Sequence, residues 1–336
     1  MNLEIILWGI ILFGTLATYI MLDGFDLGVG TLYGLCKNEN DKKAMLNAIL
    51  PYWDGNETWL IAFVTALWGG LPIAFSVIVP SIYSGVFILL AVLIFRVAAF
   101  EFSHRGRPSD VYWQKAMAIA SLLIPFALGT VFGYLLHGIS VGGEFPFYKF
   151  TGHTFDWINP FSVCCGITAV TLTLALGSSW AHGKVENSVI DMITKISLIT
   201  TPLAGLFLII MGFWQYVHAV NNFDLTHINL RLTIAIVTSV MIVLSVIAHH
   251  FCIKKTGLNP FIALVILVVS SLVFAFSTIF PYVVAPAIDF AHATVQQSDF
   301  TMVLILNIII LPILAFYSRF AFKVFAGKVK HDTFGH

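Results

Sequence analysis

Charge is what this sequence has least of. Only 10% of its 336 residues are Asp, Glu, Lys or Arg, against about 25% in an ordinary soluble domain. With 59% hydrophobic residues and a mean hydropathy of +0.92, a water-soluble globule is excluded. Lys and Arg number 17 and Asp and Glu also number 17, so the chain has no basic field of the kind that holds nucleic acid. Cysteine is scarce as well. Cys36, Cys164, Cys165 and Cys252 show no CxxC or other metal-ligand spacing, and adjacent cysteines rarely pair, so neither zinc nor a disulfide frame is expected. There is no phosphate-loop motif, and the glycines at 24–30 lack the strand–helix setting of a dinucleotide fold. No Ser/His/Asp or Cys/His set suggests a nucleophile, and low-complexity sequence is missing.

What the chain does have is long apolar runs. A run of about 18–25 residues crosses a bilayer as a helix, and about nine occur: Leu3–Leu22, Trp59–Ser76, Ile82–Phe102, Ala116–His137, Phe161–Trp180, Ile196–Val217, Leu232–Phe251, Pro260–Tyr282 and Met302–Phe322. The expected fold class is therefore an all-α polytopic membrane protein, one integral membrane domain over residues 1–336, with connections too short for a separate soluble domain. The first run has no basic start and no small-x-small cleavage site, so it reads as a span and not as a cleaved signal peptide. Basic residues set the orientation. Fifteen of the seventeen cations fall in alternate connections and the C-terminal tail, and only Lys149 and Arg231 fall in the others. Nine spans with the N-terminus outside and the C-terminus cytoplasmic fit that distribution. Asn-Pro-Phe opens two spans, at Asn159–Phe161 and Asn259–Phe261, which reads as Asn N-capping a helix with Pro at its first position.

Ionisable residues close to the hydrocarbon are costly, and each is by default a functional candidate. Three groups stand out. Asp23 and Asp26, in Asp23-Gly24-Phe25-Asp26-Leu27-Gly28-Val29-Gly30, are three apart and share a helix face; Gly28 and Gly30 permit close approach of a neighbouring helix or a planar group. Asp54 and Glu57 share a face in Trp53-Asp54-Gly55-Asn56-Glu57-Thr58-Trp59, where capping by Asp54 with Glu57 at the third helical position is the bland alternative. Arg96 lies deeper in its span than Glu101 and Arg105, which are four apart and able to pair. All three groups fall on the side assigned to the cytoplasm. Acids gathered there with one or two arginines form a proton or cation uptake funnel. None of the eleven histidines lies in the middle of a span, so a buried bis-His haem slot is not available.

These residues resemble a known family. Asp23 through Gly30, Trp53-Asp54-Gly55-Asn56-Glu57-Thr58-Trp59-Leu60, and Phe95-Arg96 through Phe100-Glu101 are similar to subunit II of the cytochrome bd quinol oxidases. The likeness extends to Asn159-Pro160-Phe161 and to Pro281-Tyr282 through Leu311-Pro312, and so covers essentially the whole chain. The resemblance implies a heterodimer with a related subunit I, which carries two haems b and one haem d and oxidises quinol. It also implies oxygen reduction to water with protons taken from the cytoplasm, a bacterial cytoplasmic (inner) membrane location, no haem ligand in this chain, and in some members a structural quinone in subunit II or a small single-helix accessory subunit. By resemblance Asp54 matches the acid on the proton path toward haem d. Glu101 stands where others have Asp, and Arg105 where some have Lys; Glu57, sharing a face with Asp54, joins that path. Asp23, Asp26, Gly28, Gly30, Trp53, Asn56 and Arg96 are expected as motif or structural positions. The rival class is a proton-coupled secondary transporter or ion channel, whose substrate site belongs near mid-membrane on interrupted helices.

Overall fold

The computed structural model describes residues 3–103, 110–186, 189–255, 259–293 and 297–329. It is a helical bundle. In chain order the helices are α1 (Leu3–Tyr33), α2 (Glu39–Asn47), α3 (Trp53–Gly70), α4 (Pro72–Ser81), α5 (Tyr83–Phe102), α6 (Asp110–His137), α7 (Pro160–Lys184), α8 (Ile190–Asn222), α9 (Ile228–Ile253), α10 (Phe261–Ile279) and α11 (Gln297–Val324). Two small antiparallel hairpins, β1 (Val141–Gly142) with β2 (Lys149–Phe150) and β3 (Tyr282–Val284) with β4 (Ile288–Asp289), close connections at one end. The opposite end carries Lys37, Lys42, Lys184, Lys254 and Lys328. These two ends are called the far end and the basic end below.

Eight of the described helices, α1 and α5 through α11, are long and apolar enough to span a membrane. The expected run 59–76 is reshaped. Pro72 cannot donate a backbone hydrogen bond, and the helix breaks at Leu71 into α3 and α4. With 18 residues, α3 is about 27 Å long, and it runs from the basic end to the far end, where α4 packs beside β2 and β3. It is not among those eight, and Asp54, Asn56 and Glu57 occupy its first turns. The first helix departs from expectation in length. It continues eleven residues past Leu22 to Tyr33, so the run 23–30 is helix interior and not a span end.

The reason lies in the packing of the glycines. Gly28 of α1 and Gly177 of α7 meet backbone to backbone; a Cβ on Gly28 would collide with Thr173 O and Gly177 Cα. Gly30 in turn faces the Ser121 side chain of α6. Close approach, not a turn, is what these glycines provide. As a result residues 23–30 of α1 are buried, and α1 is packed by α3, α6 and α7. Asn159 accepts from Ser162 N in a full capping box with Pro160 next, as expected. Asn259 accepts from Phe261 N, although Pro260 holds the cap position. Three residues before Gly28, Phe25 stacks on Trp180 with ring centroids 4.2 Å apart. Tyr52, Phe261 and Phe322 close the cluster edge-on.

Candidate functional site

The charged residues of α1, α3 and α5 converge where these three helices touch near the basic end. Asp23 and Asp26 are fully buried. They are not acids at a solvated helix end: α1 carries them into the bundle, where its glycine face meets α7. Arg96 of α5 is also buried, and its Nη1 donates to Glu57 Oε1 and lies 3.8 Å from Asp23 Oδ1. The first contact is a hydrogen bond; the second is an ion pair too long for one. Asn56 is 2% exposed. Its Nδ2 donates to Asp26 Oδ2 at 2.7 Å and reaches Leu22 O at 3.4 Å. One arginine and one asparagine therefore serve three carboxyl groups.

The donors do not suffice. Both oxygens of Asp23 and Oδ1 of Asp26 are buried without a well-formed hydrogen bond among the described residues, and the buried Tyr19 hydroxyl, a donor, sits beside Asp23. A buried polar group left unpaired costs about 1–3 kcal/mol, and more in a low-dielectric setting where charge is at stake. The carboxyl oxygens are short of donors, and a proton or a water can make up the shortfall.

The other expected residues are spread more widely. Asp54 is exposed. It does not cap α3, since Tyr52 holds the cap position without a side-chain bond and Asp54 falls in the first turn. Glu57, three residues on, is the next carboxyl on that face and has 25% of its side chain exposed. Trp53 packs on Phe100 with centroids 5.2 Å apart. Glu101 is exposed in the last turn of α5. Arg105 lies outside the described residues, so its pairing with Glu101 does too. Among the described residues the structure thus joins Asp23, Asp26, Asn56, Glu57 and Arg96 in one site, sets Asp54 on its outer approach, and leaves Glu101 at the surface. Missed by sequence reasoning were the roles of Asn56 as partner of Asp26 and Tyr19 as neighbour of Asp23. The four-residue spacing of Tyr19 and Asp23 was the available signal for the second.

The far end holds a different polar group. His137 and His218 stack with ring centroids 3.6 Å apart. Nε2 of His218 bonds the His137 carbonyl oxygen at 2.9 Å, and His137 Nδ1 meets Gln215 Oε1 at 3.3 Å. At the basic end His249 has both nitrogens engaged, by Ser197 Oγ at 3.0 Å and by Pro260 O at 3.2 Å. The described histidines lie at helix ends or in connections, which does not fit a buried pair of axial haem ligands. Among the described residues no group of three or more His, Cys, Asp or Glu could hold a metal ion.

Comparison with known proteins follows the same lines. The family model described as cytochrome bd terminal oxidase subunit II matches residues 3–325. A probable cytochrome oxidase subunit 2 of Haemophilus influenzae is 28% identical over 216 residues, 62% of this chain and 57% of that protein. The cytochrome bd-I ubiquinol oxidase subunit 2 of Escherichia coli strain K12 is 27% identical over 214 residues, 60% of this chain and 56% of that protein. The cytochrome bd ubiquinol oxidase subunit 2 of Bacillus subtilis is 30% identical over 199 residues, 56% of this chain and 57% of that protein. The matches thus span somewhat more than half the length of these relatives. In fold, a chain of the bd oxidase structure from Geobacillus thermodenitrificans superposes with a TM-score of 0.78 over 97% of this chain and 99% of that one, at 15% identity.

Proposed function

The chain belongs to the cytochrome bd terminal oxidase subunit II family, and from that premise we propose that it is the non-haem-ligating subunit of a quinol:oxygen oxidoreductase, supporting assembly and contributing a path for proton uptake. Its partner in this reading is a related subunit I, which carries two haems b and haem d and the quinol chemistry. A structural quinone in this chain and a small accessory subunit belong to the same reading, as does residence in a bacterial cytoplasmic membrane. The histidine positions support placing the haems on the partner.

The observation that carries the proton path is the graded burial of four carboxyls. Asp54 is exposed, Glu57 half-buried, and Asp23 and Asp26 fully buried, with Arg96 touching both Glu57 and Asp23. A carboxyl ladder of that kind hands protons inward, since each rung is within reach of the next or of a shared cation. Buried oxygens that lack donors at its inner end are groups on which an arriving proton is stabilised. Asp54 is the rung that meets solvent. Glu101 extends the acidic mouth on α5, and Arg105 stands with it by resemblance. A transporter or channel is the weaker reading, because the charged site lies near one end of the bundle instead of at mid-membrane.

Asp54→Asn tests the path. Oxygen consumption by the purified complex is expected to fall about ten-fold, since positioned proton transfer is worth about 10²–10⁴-fold and a neutral amide cannot relay. Haem content, read from the reduced-minus-oxidised spectrum, is expected to stay near that of the parent. Full turnover would remove Asp54 from the path; loss of all haem would make it an assembly residue.

A further inference from the structure

The carboxyl ladder leaves the phenol of Tyr19 without a role. Tyr19 lies four residues before Asp23 on α1, and Tyr19, Asp23 and Asp26 share one face of that helix. The residue is 5% exposed and its hydroxyl is buried. Side chains on a helix lean toward its N-terminus. The carboxyl of Asp23 therefore leans back onto the turn that carries Tyr19, and the two groups are neighbours. The polar stripe ends there. One turn further in, Thr15 turns its hydroxyl back onto Ile11 O at 2.8 Å and Leu12 O at 3.2 Å. Tyr19 is thus a buried donor set against a buried carboxyl whose two oxygens are short of donors.

We propose that Tyr19 is a positioning residue for proton transfer: its hydroxyl donates to Asp23 while that carboxyl is ionised, and so sets the pH at which Asp23 passes its proton on. This rests on the proton path proposed above and names the group that tunes its inner rung. Arg96 alone does not serve Asp23 well. Its Nη1 donates to Glu57 and lies 3.8 Å from Asp23, beyond hydrogen-bonding distance. The ionisable groups that face Asp23 are Arg96 of α5, Glu57 of α3, and Tyr19 and Asp26 of its own helix. On other sides of α1, α7 brings Thr173, Leu176 and Gly177 against the glycines and α6 brings Ser121, and none of these ionises. The cation is shared between two carboxyls, whereas the phenol adjoins one. A free phenol ionises near pH ~10, so Tyr19 stays a donor at neutral pH. A hydrogen bond to a charged partner is stronger than one to a neutral partner, so this donor favours the ionised form of Asp23 over the protonated one. No bond within Tyr19 breaks in the step. The proton that Asp23 takes up is the one it releases, and the phenol keeps its own.

The test uses the assembled complex in vesicles with the basic end facing out, the lumen strongly buffered and the external pH varied. Tyr19→Phe keeps the ring and removes only the donor. Without that donor Asp23 holds its proton more tightly. The fall in oxygen consumption on the acid side is therefore expected to begin about one pH unit higher than in the parent, an about ten-fold change in proton affinity. Haem content and turnover on the alkaline side should match the parent. Tyr134→Phe, at a second buried tyrosine near the far end of α6, should leave the profile where it is. A parental pH profile in Tyr19→Phe overturns the proposal. So does an equal loss at every pH, which is what disturbed packing alone would give. Failure of Tyr19→Phe to accumulate overturns it too, since a hydroxyl that only tunes a carboxyl is not needed for assembly. The proposal and the path it rests on fail separately. A slow Asp54→Asn with an unshifted Tyr19→Phe keeps the path and removes Tyr19 from it. A shifted Tyr19→Phe with full turnover in Asp54→Asn keeps the Tyr19–Asp23 pair and removes Asp54 as the source of its proton.

Discussion

At the far end Arg231 donates to three carbonyl oxygens, those of Thr226, Ser277 and Phe280. At the basic end Arg96 faces two carboxyls, yet three carboxyl oxygens nearby have no well-formed hydrogen bond. Both arginines are buried in membrane-length helices, and both cost desolvation to place there. The difference is closure. The far-end cation terminates α10, satisfying carbonyls that every helix C-terminus leaves open, and the histidines beside it bond one another's backbone or Gln215. All three nitrogens of Arg231 are engaged. The basic-end cluster is left open, and a fold under selection for stability alone would fill it or make it apolar. Buried polar groups in a membrane bundle therefore divide by whether their bonding is complete, and the incomplete set is the one to associate with chemistry.

Removing the open cluster's cation should give the largest effect. Arg96→Met leaves Glu57 and Asp23 without their positive partner, and breaking a buried pair in this way costs about 3–5 kcal/mol. The expected outcome is failure of the complex to accumulate, read by immunoblot of membranes and by haem content. Arg96→Met combined with Glu57→Gln should recover part of that loss, because one of the orphaned charges is removed. Normal accumulation of Arg96→Met would show that the cluster is not held by its ion pair. The closest approach in the core gives the next test. Gly28→Ala places a methyl group into Thr173 O and Gly177 of α7, and overpacking of that kind costs about 1–3 kcal/mol. Gly9→Ala on the same helix has nothing within 4 Å of the new methyl and should leave the thermal midpoint unchanged or slightly raised, since Ala is the better helix former by about 1 kcal/mol. Equal effects from the two would mean that the α1–α7 contact does not position Asp23 and Asp26.

The sequence carries parts of this contrast on its surface and hides others. Asp23 and Asp26 share a face by spacing alone, and scarcity of charge made every acid in the bundle conspicuous. The length of α1 was not legible. Asp and three glycines in eight residues look like a span end, and only the facing Gly177, some 150 residues on, shows that they are a packing surface. Asn56 carries no signal of its own, because its partner Asp26 is thirty residues away and the contact exists only once α3 lies against α1. The break in the run 59–76 was marked by Pro72, yet the apolar residues on either side of it read as one span. Asp54 followed the pattern of a capping residue, but α3 starts two residues earlier than that pattern requires, and the side chain is left exposed. Periodicity and composition report on one helix at a time; the site is made where three of them meet.

Arg231 gives the smallest effect and separates the two ends most cleanly. Arg231→Met keeps the apolar stem and removes the guanidinium, so Thr226, Ser277 and Phe280 lose their shared donor. Ser277 and Phe280 sit at the end of α10 and Thr226 in the connection before α9, where water can take over some of the lost bonding. The cost should therefore lie at the low end of the range for charged hydrogen bonds, about 1–3 kcal/mol, seen as a modest drop in the thermal midpoint of the purified complex. Turnover per haem should not change, because a closed group holds a helix end in place and passes nothing along. A variant with the parent's thermal midpoint and a slowed turnover would break the distinction, since it would make a fully bonded far-end residue a participant in the reaction. A destabilised but fully active one would keep it, and would leave the unsatisfied oxygens of Asp23 and Asp26 as the feature that marks where this bundle handles protons.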